Sequence, residues 1–449
     1  MGGSLLSKPA PVSPILHPGV QKQHGESRAS GNRRLSFYQK KPLSEDTMKE
    51  IFAAGAHQFT GLPWFQFLVH TELCTMNYDG LSLKDDERVS HMVRMMENLK
   101  VPQTLKKPAD ELVPFIFDVK QLMHENPYHN FCHVTDVTQY MYTLILATNV
   151  AGRLRPIELA ATYVGAVCHD LDHPGLSNAY QNSEHTALSR QYDGESPLEN
   201  HHLTMYKRLR DKHGLLAHVE SEEDKCRFDD VVSHMILATD MAKHGFLMKK
   251  IKAELEDPSF NPLHTQDGVN LLLQIALKCS DISNQARPWK VANRWNEAVY
   301  KEFYHEGDLD RDSGRDVAPL LDRRSNQIPK STVGFIGFVV APLYENYVAI
   351  MKRCAQLDDQ IDARAVEECL VFLHKNKERY QKQADGDFVD QDEEDIELQN
   401  FPEDLREGLD SSGAASKLPG INGAHQTDEA RRLNAKVKRS KLPMEKRET

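Results

Sequence analysis

The stretch YVGAVCHDLDHPG, residues 163–175, runs from an apolar segment directly into two histidines and two aspartates. An apolar segment of this kind is expected to be buried, so the ionisable groups that follow it are delivered to the interior as well. Burying several such groups together is costly unless an opposite charge compensates them. Imidazole and carboxylate are ligands that Zn²⁺, Mg²⁺ and Mn²⁺ take in proteins, and the stretch therefore predicts a metal site.

Two further segments carry groups that can join this site. In PYHNFCHVTDV, residues 127–137, His129 and His133 are four residues apart, which on a helix is one turn along the same face. In QIALKCSDISN, residues 274–284, Asp281 stands at the end of an apolar helical pattern. A carboxylate on the buried side of a helix needs a cation beside it, so we expect Asp281 to belong to the same site.

The spacing at the end of the first stretch extends this prediction. His169 and His173 are four residues apart, and a continuing helix would place them with Asp170 on one face before Pro174 and Gly175 end it. A carboxylate can bridge two ions where an imidazole cannot, which favours a two-metal site. Because such a site generates hydroxide near neutral pH and stabilises charge on a phosphoryl group, phosphoester hydrolysis is the expected chemistry.

The chain from residue 45 to residue 384 has a helical pattern. Apolar residues recur at three- and four-residue spacing in ELVPFIFDVKQLM, VTQYMYTLIL, GVNLLLQIALKC and AVEECLVFLHKN, and few segments alternate with period two. We therefore predict an all-α fold, with a single compact multi-helix domain over residues 45–384.

The two flanking segments differ from this domain in composition. Residues 1–44 are rich in Ser, Pro, Gly and basic residues, and residues 385–449 are first acidic and later basic, so we predict disorder in both. The sequence NRRLSF places Ser36 two residues after paired arginines, a pattern typical of a phosphorylation site, which predicts a protein kinase as partner. The basic arm also favours weak association with an anionic membrane.

Composition argues against several classes of protein. The 449-residue chain has a net charge of −11, which is unfavourable for a general nucleic-acid binder. The longest apolar runs fall short of the roughly 18 residues of a membrane-spanning helix, and no N-terminal run is typical of a signal peptide. Seven cysteines without a CxxC pair fit a reducing compartment, so we expect a cytoplasmic protein with peripheral membrane contact through its basic arm.

The motifs of this chain, taken in order, resemble those of a known family. PYHNFCH, CHDLDHPG, SPLENHH, LATDMAKH, CSDISNQARP, VAPLLDR and GFIGF make residues 45–384 similar to the catalytic domain of the class I cyclic nucleotide phosphodiesterases, members of the HD metal-hydrolase superfamily. The resemblance implies hydrolysis of cGMP, cAMP or both to the 5′-nucleotide, which ends a cyclic nucleotide signal.

The resemblance also implies a role for each residue of the metal site. The ligands of a tightly held ion, usually zinc, are matched by His133, His169, Asp170 and Asp281. Asp170 would bridge to a second ion, usually magnesium and alternatively manganese, whose waters are oriented by groups matched by His173, Glu199 and Thr239. His129 matches the general acid that protonates the O3′ leaving group while hydroxide attacks phosphorus.

A base pocket is implied as well. Phe335 matches the phenylalanine that stacks on the purine, and Asn284 and Phe303 are expected to line the same pocket. Thr332 stands where the family has a glutamine that makes paired hydrogen bonds to the purine, and a single hydroxyl cannot replace both bonds. Several motifs are most similar to the high-affinity cGMP-specific branch, so we favour cGMP over cAMP, although Gln285 and Thr332 are both places where base recognition can differ.

Two other functions stay open on the sequence alone. A hydrolase of the HD type can act on a different phosphoester, and the missing pocket glutamine is compatible with a protein that binds cyclic nucleotide with little turnover. The retention of His129 together with all four matching ligands favours the enzyme.

Overall fold

The computed structural model of the chain describes residues 73–387. The predicted arm over residues 1–44 with Ser36, the first part of the predicted domain, and the tail beyond Asp387 lie outside the described residues. The predicted domain boundaries, the kinase site and the membrane association of the arm therefore stay predictions.

The described part of the chain is built from α-helices joined by short loops and 3₁₀ turns, and it contains no β-strand between residues 73 and 387. A π-helical turn, Ile336–Val340, connects the helix Ile328–Phe335 directly to the helix Ala341–Leu357. The predicted all-α fold is confirmed for these residues. In chain order the helices are α1 (Asp85–Asn98), α2 (Val101–Thr104), α3 (Ala109–Leu122), α4 (Phe131–Ala147), α5 (Pro156–Cys168), α6 (Asn178–Ser183), α7 (Ala187–Gln191), α8 (Pro197–Lys212), α9 (Glu222–Ala238), α10 (His244–Glu256), α11 (Gln266–Asp281), α12 (Trp289–Asp312), α13 (Ile328–Phe335), α14 (Ala341–Leu357) and α15 (Arg364–Asp385).

Helices α4 and α5 form the centre of the domain. In α4 every residue except Leu146 is buried, as expected for a helix that packs on all sides. Helix α5 packs against α4 and α9, and α11 packs against α4, α9 and α14. A Cβ atom on Gly165 of α5 would lie 3.1 Å from Sδ of Met235 in α9, so glycine permits the close approach of these two helices.

The loop that follows α11 is tied to the centre by a buried arginine. The guanidinium of Arg287 is inaccessible to solvent, donates to Oδ2 of Asp136 at 2.8 Å and lies 4.6 Å from the centre of the Tyr140 ring. From the other side, Nδ2 of Asn376 donates to the main-chain oxygens of Gln285 and Arg287 at 2.9 and 2.8 Å. These contacts hold the loop in place directly after Asp281.

One apolar helical run is longer than we expected from the sequence. By length and composition alone, Ile328–Leu357 meets the criterion for a helix that crosses a membrane. In the structure α13 and α14 pack against α15, and Tyr344 and Tyr347 of this run are fully buried in the core. Packing within the domain thus accounts for part of its apolar side chains, whereas Phe338 of the same run is 84% exposed.

We predict that Arg287→Met destabilises the domain strongly. The substitution leaves the Asp136 carboxylate buried without its cation, which costs about 3 to 5 kcal/mol. The free energy of unfolding from urea titration is the measurement. As a matched control, Arg294→Met removes an exposed ion pair with Asp79 and is expected to cost no more than about 1 kcal/mol. Equal losses in the two variants would contradict the role assigned to the buried pair.

Candidate active site

Helix α4 brings His133 into the centre of the domain. The helix begins at Phe131, and the side-chain oxygen of its N-cap residue Asn130 accepts the main-chain N–H of His133 at 3.1 Å. His129 therefore precedes the helix, and the expectation that His129 and His133 share one helical face is wrong. The backbone is extended at the N-cap residue Asn130. The rings of His129 and His133 have a centroid separation of 5.6 Å and an interplanar angle of 76°.

The turn after α5 presents the aspartate and histidine motif. Helix α5 ends at Cys168, so the expectation of a helix that continues to Pro174 is also wrong. Left-handed backbone at Asp172, with a φ of 61°, and at Gly175, with a φ of 73°, reverses the chain within a few residues. The motif is therefore a tight turn, in which neighbouring side chains can face different partners.

Asn126 joins this turn to the segment before α4. Its Nδ2 donates to the main-chain oxygens of His129 and His173, each at 2.8 Å. A Cβ atom on Gly175 would lie 2.9 Å from Oδ1 of Asn126, and only glycine is free of that clash at a positive φ. The two histidine segments are thereby held side by side.

The structure brings four of the predicted residues together in a cluster that we call the His/Asp cluster: His133, His169, Asp170 and Asp281. One ligand atom from each lies within 4.8 Å of the others. Nε2 of His133 is 3.2 Å from Oδ1 of Asp281 and 3.3 Å from Oδ2 of Asp170, and Nε2 of His169 is 3.4 and 3.3 Å from the same two oxygens.

The unpaired atoms of the cluster fit a metal ion. Nδ1 of His169 donates to the main-chain oxygen of Ala166 at 2.8 Å, so in the neutral ring Nε2 carries the lone pair. Within residues 73–387, neither this Nε2 nor Oδ2 of Asp170 has a hydrogen-bond partner, although both atoms are buried. Such atoms are costly to leave unpaired, and a divalent cation with nitrogen and oxygen ligands would satisfy them.

The charges of the cluster depend on one another. Burial raises the pKa of Asp281, but the neighbouring imidazoles of His133 and His169, when protonated, outweigh this effect and hold that pKa well below its usual value. Burial likewise lowers the pKa of His169, and the charge of Asp170 outweighs it and raises that pKa well above its usual value. Protons on imidazole thus compensate the carboxylates where no metal does, and metal binding must release them.

His129 is paired with a buried carboxylate. Its Nδ1 donates to Oε1 of Glu302 at 2.6 Å, while Oε2 of Glu302 accepts the main-chain N–H groups of Tyr128 and His129 at 2.7 and 3.0 Å. Burial lowers the pKa of His129, but the charge and hydrogen bond of Glu302 outweigh it and raise the pKa to about 9. The pairing leaves Nε2 of a protonated ring available to the cavity that His129 lines.

His173 forms a neutral platform beneath His129. The two rings stack with a centroid separation of 3.9 Å and an interplanar angle of 19°. Burial, together with the charge of His129, holds the pKa of His173 well below its usual value, and its Nδ1 accepts the N–H of Gly175 at 3.0 Å. His129, His173 and Glu302 also lie close enough to hold an ion, but hydrogen bonds already occupy both Glu302 oxygens, so we interpret the group as a charged pair on a neutral ring.

The other residues expected to orient waters lie in the wall of the same cavity as Asp170. Oε2 of Glu199 accepts from Nδ2 of Asn178 at 2.8 Å, and burial raises the pKa of Glu199 to about 7. The hydroxyl of Thr239 donates to the main-chain oxygen of Ile236 at 2.8 Å. Their positions are compatible with contacts to water, and their role stays a prediction.

A cavity of about 500 Å³ connects the His/Asp cluster to an aromatic wall. All four predicted base-pocket residues line it: Asn284, Phe303, Thr332 and Phe335. Phe335 is 37% exposed, whereas Thr332 is fully buried and its hydroxyl donates to the main-chain oxygen of Ile328 at 2.8 Å. Oδ1 of Asn284 accepts the Tyr128 hydroxyl at 2.8 Å, which links the wall to the segment that carries His129.

Sequence reasoning missed several residues of this site. Glu302 had a detectable signal, because Trp295, Ala298, Glu302 and Glu306 follow the buried face of α12 at three- and four-residue spacing. An acid on such a face needs a partner, as His129 proves to be. The sequence patterns also assigned no individual role to further residues of the wall, among them Tyr128, His202, Asp240 and Asn296.

We predict that Asp281→Asn weakens Zn²⁺ binding by more than about 100-fold. Loss of a metal ligand should lower the affinity by more than loss of a residue that only orients the ligands. Calorimetric titration with ZnCl₂ measures the affinity, and the Zn²⁺-induced rise in melting temperature is expected to disappear with it. Asp267→Asn, an exposed change on the same helix, is the matched control and should bind as the wild type does. Wild-type affinity in Asp281→Asn would rule out the metal centre.

The known proteins that are similar to this chain are cyclic nucleotide phosphodiesterases. The family model for 3′5′-cyclic nucleotide phosphodiesterase matches residues 128–361. The 3′,5′-cyclic-AMP phosphodiesterase 4C of Rattus norvegicus is 31% identical over 302 residues, which are 65% of this chain and 54% of that protein. The high affinity cGMP-specific 3′,5′-cyclic phosphodiesterase 9A of Mus musculus is 32% identical over 272 residues, which are 60% of this chain and 50% of that protein.

A solved structure shows the same fold. The phosphodiesterase domain of a RhoPDE fusion protein from the choanoflagellate Salpingoeca rosetta is 26% identical and superposes with a TM-score of 0.60, covering 69% of this chain and 98% of that one. The chain spans about half the length of the curated relatives it matches. The matched region contains the His/Asp cluster and His129, and this chain belongs to the 3′5′-cyclic nucleotide phosphodiesterase family.

Proposed function

We propose that this chain hydrolyses 3′,5′-cyclic nucleotides, cGMP, cAMP or both, to 5′-nucleotides. The observation that carries the proposal is the single cavity that joins the His/Asp cluster, the His129 and Glu302 pair, and an aromatic wall. Its volume of about 500 Å³ suits a small ligand. The family supports the reaction class, and named relatives of both nucleotide preferences match the chain.

The His/Asp cluster is proposed to hold Zn²⁺, with Asp170 shared with a second ion, Mg²⁺ or Mn²⁺. Divalent ions in such a site lower the pKa of water and offset charge on a phosphoryl group. The protein contributes ligands that are fixed in advance: Ala166 orients the ring of His169, and helix α4 orients His133. Glu199 and Thr239 are proposed to orient water at the second ion.

His129 is proposed to act as the general acid. A water molecule adds to phosphorus through its oxygen and loses one proton to the solvent, the bond from phosphorus to O3′ breaks, and Nε2–H of His129 gives its proton to O3′. His129 then takes up a proton from the solvent. Glu302 keeps the ring protonated and fixes its direction through Nδ1. At the other end of the cavity, Phe335 and Phe303 offer aromatic faces to a purine.

We expect purified protein with Mg²⁺ or Mn²⁺ to release 5′-GMP from cGMP, 5′-AMP from cAMP, or both, as followed by chromatography. His129→Asn should lower kcat by about 100- to 10,000-fold, because the leaving oxygen must then depart without a proton donor. The matched control is His218→Asn, an exposed change that should leave kcat unaltered.

A wild-type protein that leaves both nucleotides intact at millimolar concentration contradicts the proposal. Binding of cyclic nucleotide without hydrolysis in that case would identify a non-hydrolysing binding protein instead.

The pH dependence of kcat/KM tests the pairing of His129 with Glu302. A general acid must be protonated, so activity is expected to fall on the alkaline side as the pH passes about 9. Glu302→Gln removes the charge that raises this pKa, and the alkaline limb should move to lower pH. Glu297→Gln, an exposed change on the same helix α12, should leave the profile in place. An alkaline limb that moves equally in both variants, or in neither, would show that Glu302 does not set the pKa of the acid.

A further inference from the structure

The aromatic end of the cavity contains a polar group whose function the proposed reaction leaves unassigned. Asn296, on the buried face of α12, and Gln285, in the loop after α11, line the cavity beside Thr332. Their side chains meet at one atom, since Oδ1 of Asn296 is 3.3 Å from Nε2 of Gln285 and 3.2 Å from the hydroxyl oxygen of Thr332. We call these three residues the amide triad.

Thr332 is unable to read a base by itself. Its hydroxyl has one proton, and acceptors within the protein compete for it: the main-chain oxygen of Ile328 at 2.8 Å, Oδ1 of Asn296 at 3.2 Å and the hydroxyl of Tyr300. The residue is 1% exposed, so little of its oxygen faces the cavity. Thr332 is therefore placed to position Asn296.

Asn296 retains unused hydrogen-bonding capacity. Its Oδ1 faces Gln285 and Thr332, and the structure gives its Nδ2 no acceptor anywhere in residues 73–387. Oε1 of Gln285 is inaccessible to solvent and its amide is paired with the Tyr380 hydroxyl, so the unused donor of this group is Nδ2 of Asn296. Because an unpaired amide N–H in a cavity wall is unfavourable, a ligand edge that carries a hydrogen-bond acceptor is the partner that Nδ2 of Asn296 lacks.

The surroundings narrow the chemistry of that ligand. The same part of the cavity presents the rings of Phe303 and Phe335, which suit a flat aromatic ligand, and the carboxamide of Asn296 is neutral. A purine is flat, aromatic and uncharged, and its six-membered ring has hydrogen-bonding groups at N1 and C6. Resting on the proposed function, we infer that Asn296 is the residue that reads the purine edge of the cyclic nucleotide, with Gln285 and Thr332 as positioning residues that hold its carboxamide.

The test combines three substrates with matched variants. Cyclic GMP and cAMP carry groups at N1 and C6, whereas benzimidazole riboside 3′,5′-cyclic monophosphate has the same two-ring shape with no nitrogen or substituent on the six-membered ring. Asn296→Leu keeps the approximate size of the side chain and removes the carboxamide. Asn293→Leu, one turn earlier on α12 and outside the cavity wall, is the control.

In Asn296→Leu we expect KM for cGMP, for cAMP or for both to rise roughly 5- to 100-fold, the range for one lost hydrogen bond to a buried group, with kcat little changed. KM for the benzimidazole nucleotide should stay level or fall, because its six-membered ring has no group that could hydrogen-bond to Asn296. Gln285→Met should change KM in the same direction but less, and it provides the test if the melting temperature shows that Asn296→Leu does not fold.

Equal changes for all three substrates would overturn the inference, since they would show a structural role for Asn296. Unchanged KM values for both purine nucleotides in both variants would overturn it as well. Those outcomes leave the proposed function standing, because the wild type still hydrolyses its substrates. A wild-type protein that hydrolyses none of the three nucleotides overturns the proposed function and this inference together.

Discussion

Two carboxylates and two imidazoles share one buried space, and the rest of the structure depends on how their charges are compensated. Asp170 and Asp281 lie where burial opposes ionisation, yet the neighbouring histidines keep both ionised. A cation must accompany such a group, whether it is a proton on imidazole or a metal ion. Helices that are buried along nearly their whole length, above all α4 and α5, enclose one side of this space, and the two carboxylates line the cavity on the other. The same burial that makes the cluster costly also strengthens every electrostatic interaction within it.

The cluster is assembled from ends of helices, so its precision depends on polar contacts that fix those ends. Asn130 caps α4 one turn before His133, and Asn126 joins the backbone of the two histidine segments. Arg287 anchors the loop that follows Asp281 to α4. Each of these side chains pairs with main-chain or charged groups that would otherwise be buried without partners. The buried polar groups of the domain therefore serve both stability and the placement of ligands.

The cavity divides its tasks between two ends. At one end the His/Asp cluster and the pair of His129 with Glu302 handle charge and protons. At the other end aromatic rings and neutral amides face the space where a base would lie. The two ends are carried by different elements, because the residues of the base end come from α12, α13 and the loop after α11. Changes at the base end, such as threonine at position 332, can thus alter recognition while the ligand set stays complete.

The sequence by itself determined the helical class, the apolar segments of the core and the identity of the charged residues, because periodicity and cost of burial are local properties. It did not determine where the helices end. Phe131 begins α4 and Cys168 ends α5 for reasons of capping and backbone reversal, which depend on contacts such as that between Asn126 and Gly175. Only the tertiary structure decided the partners: Glu302 meets His129 across 173 residues of chain, and Asn296 meets Thr332 across 36. Such pairings depend on how whole helices pack, and no pattern within one helix specifies them.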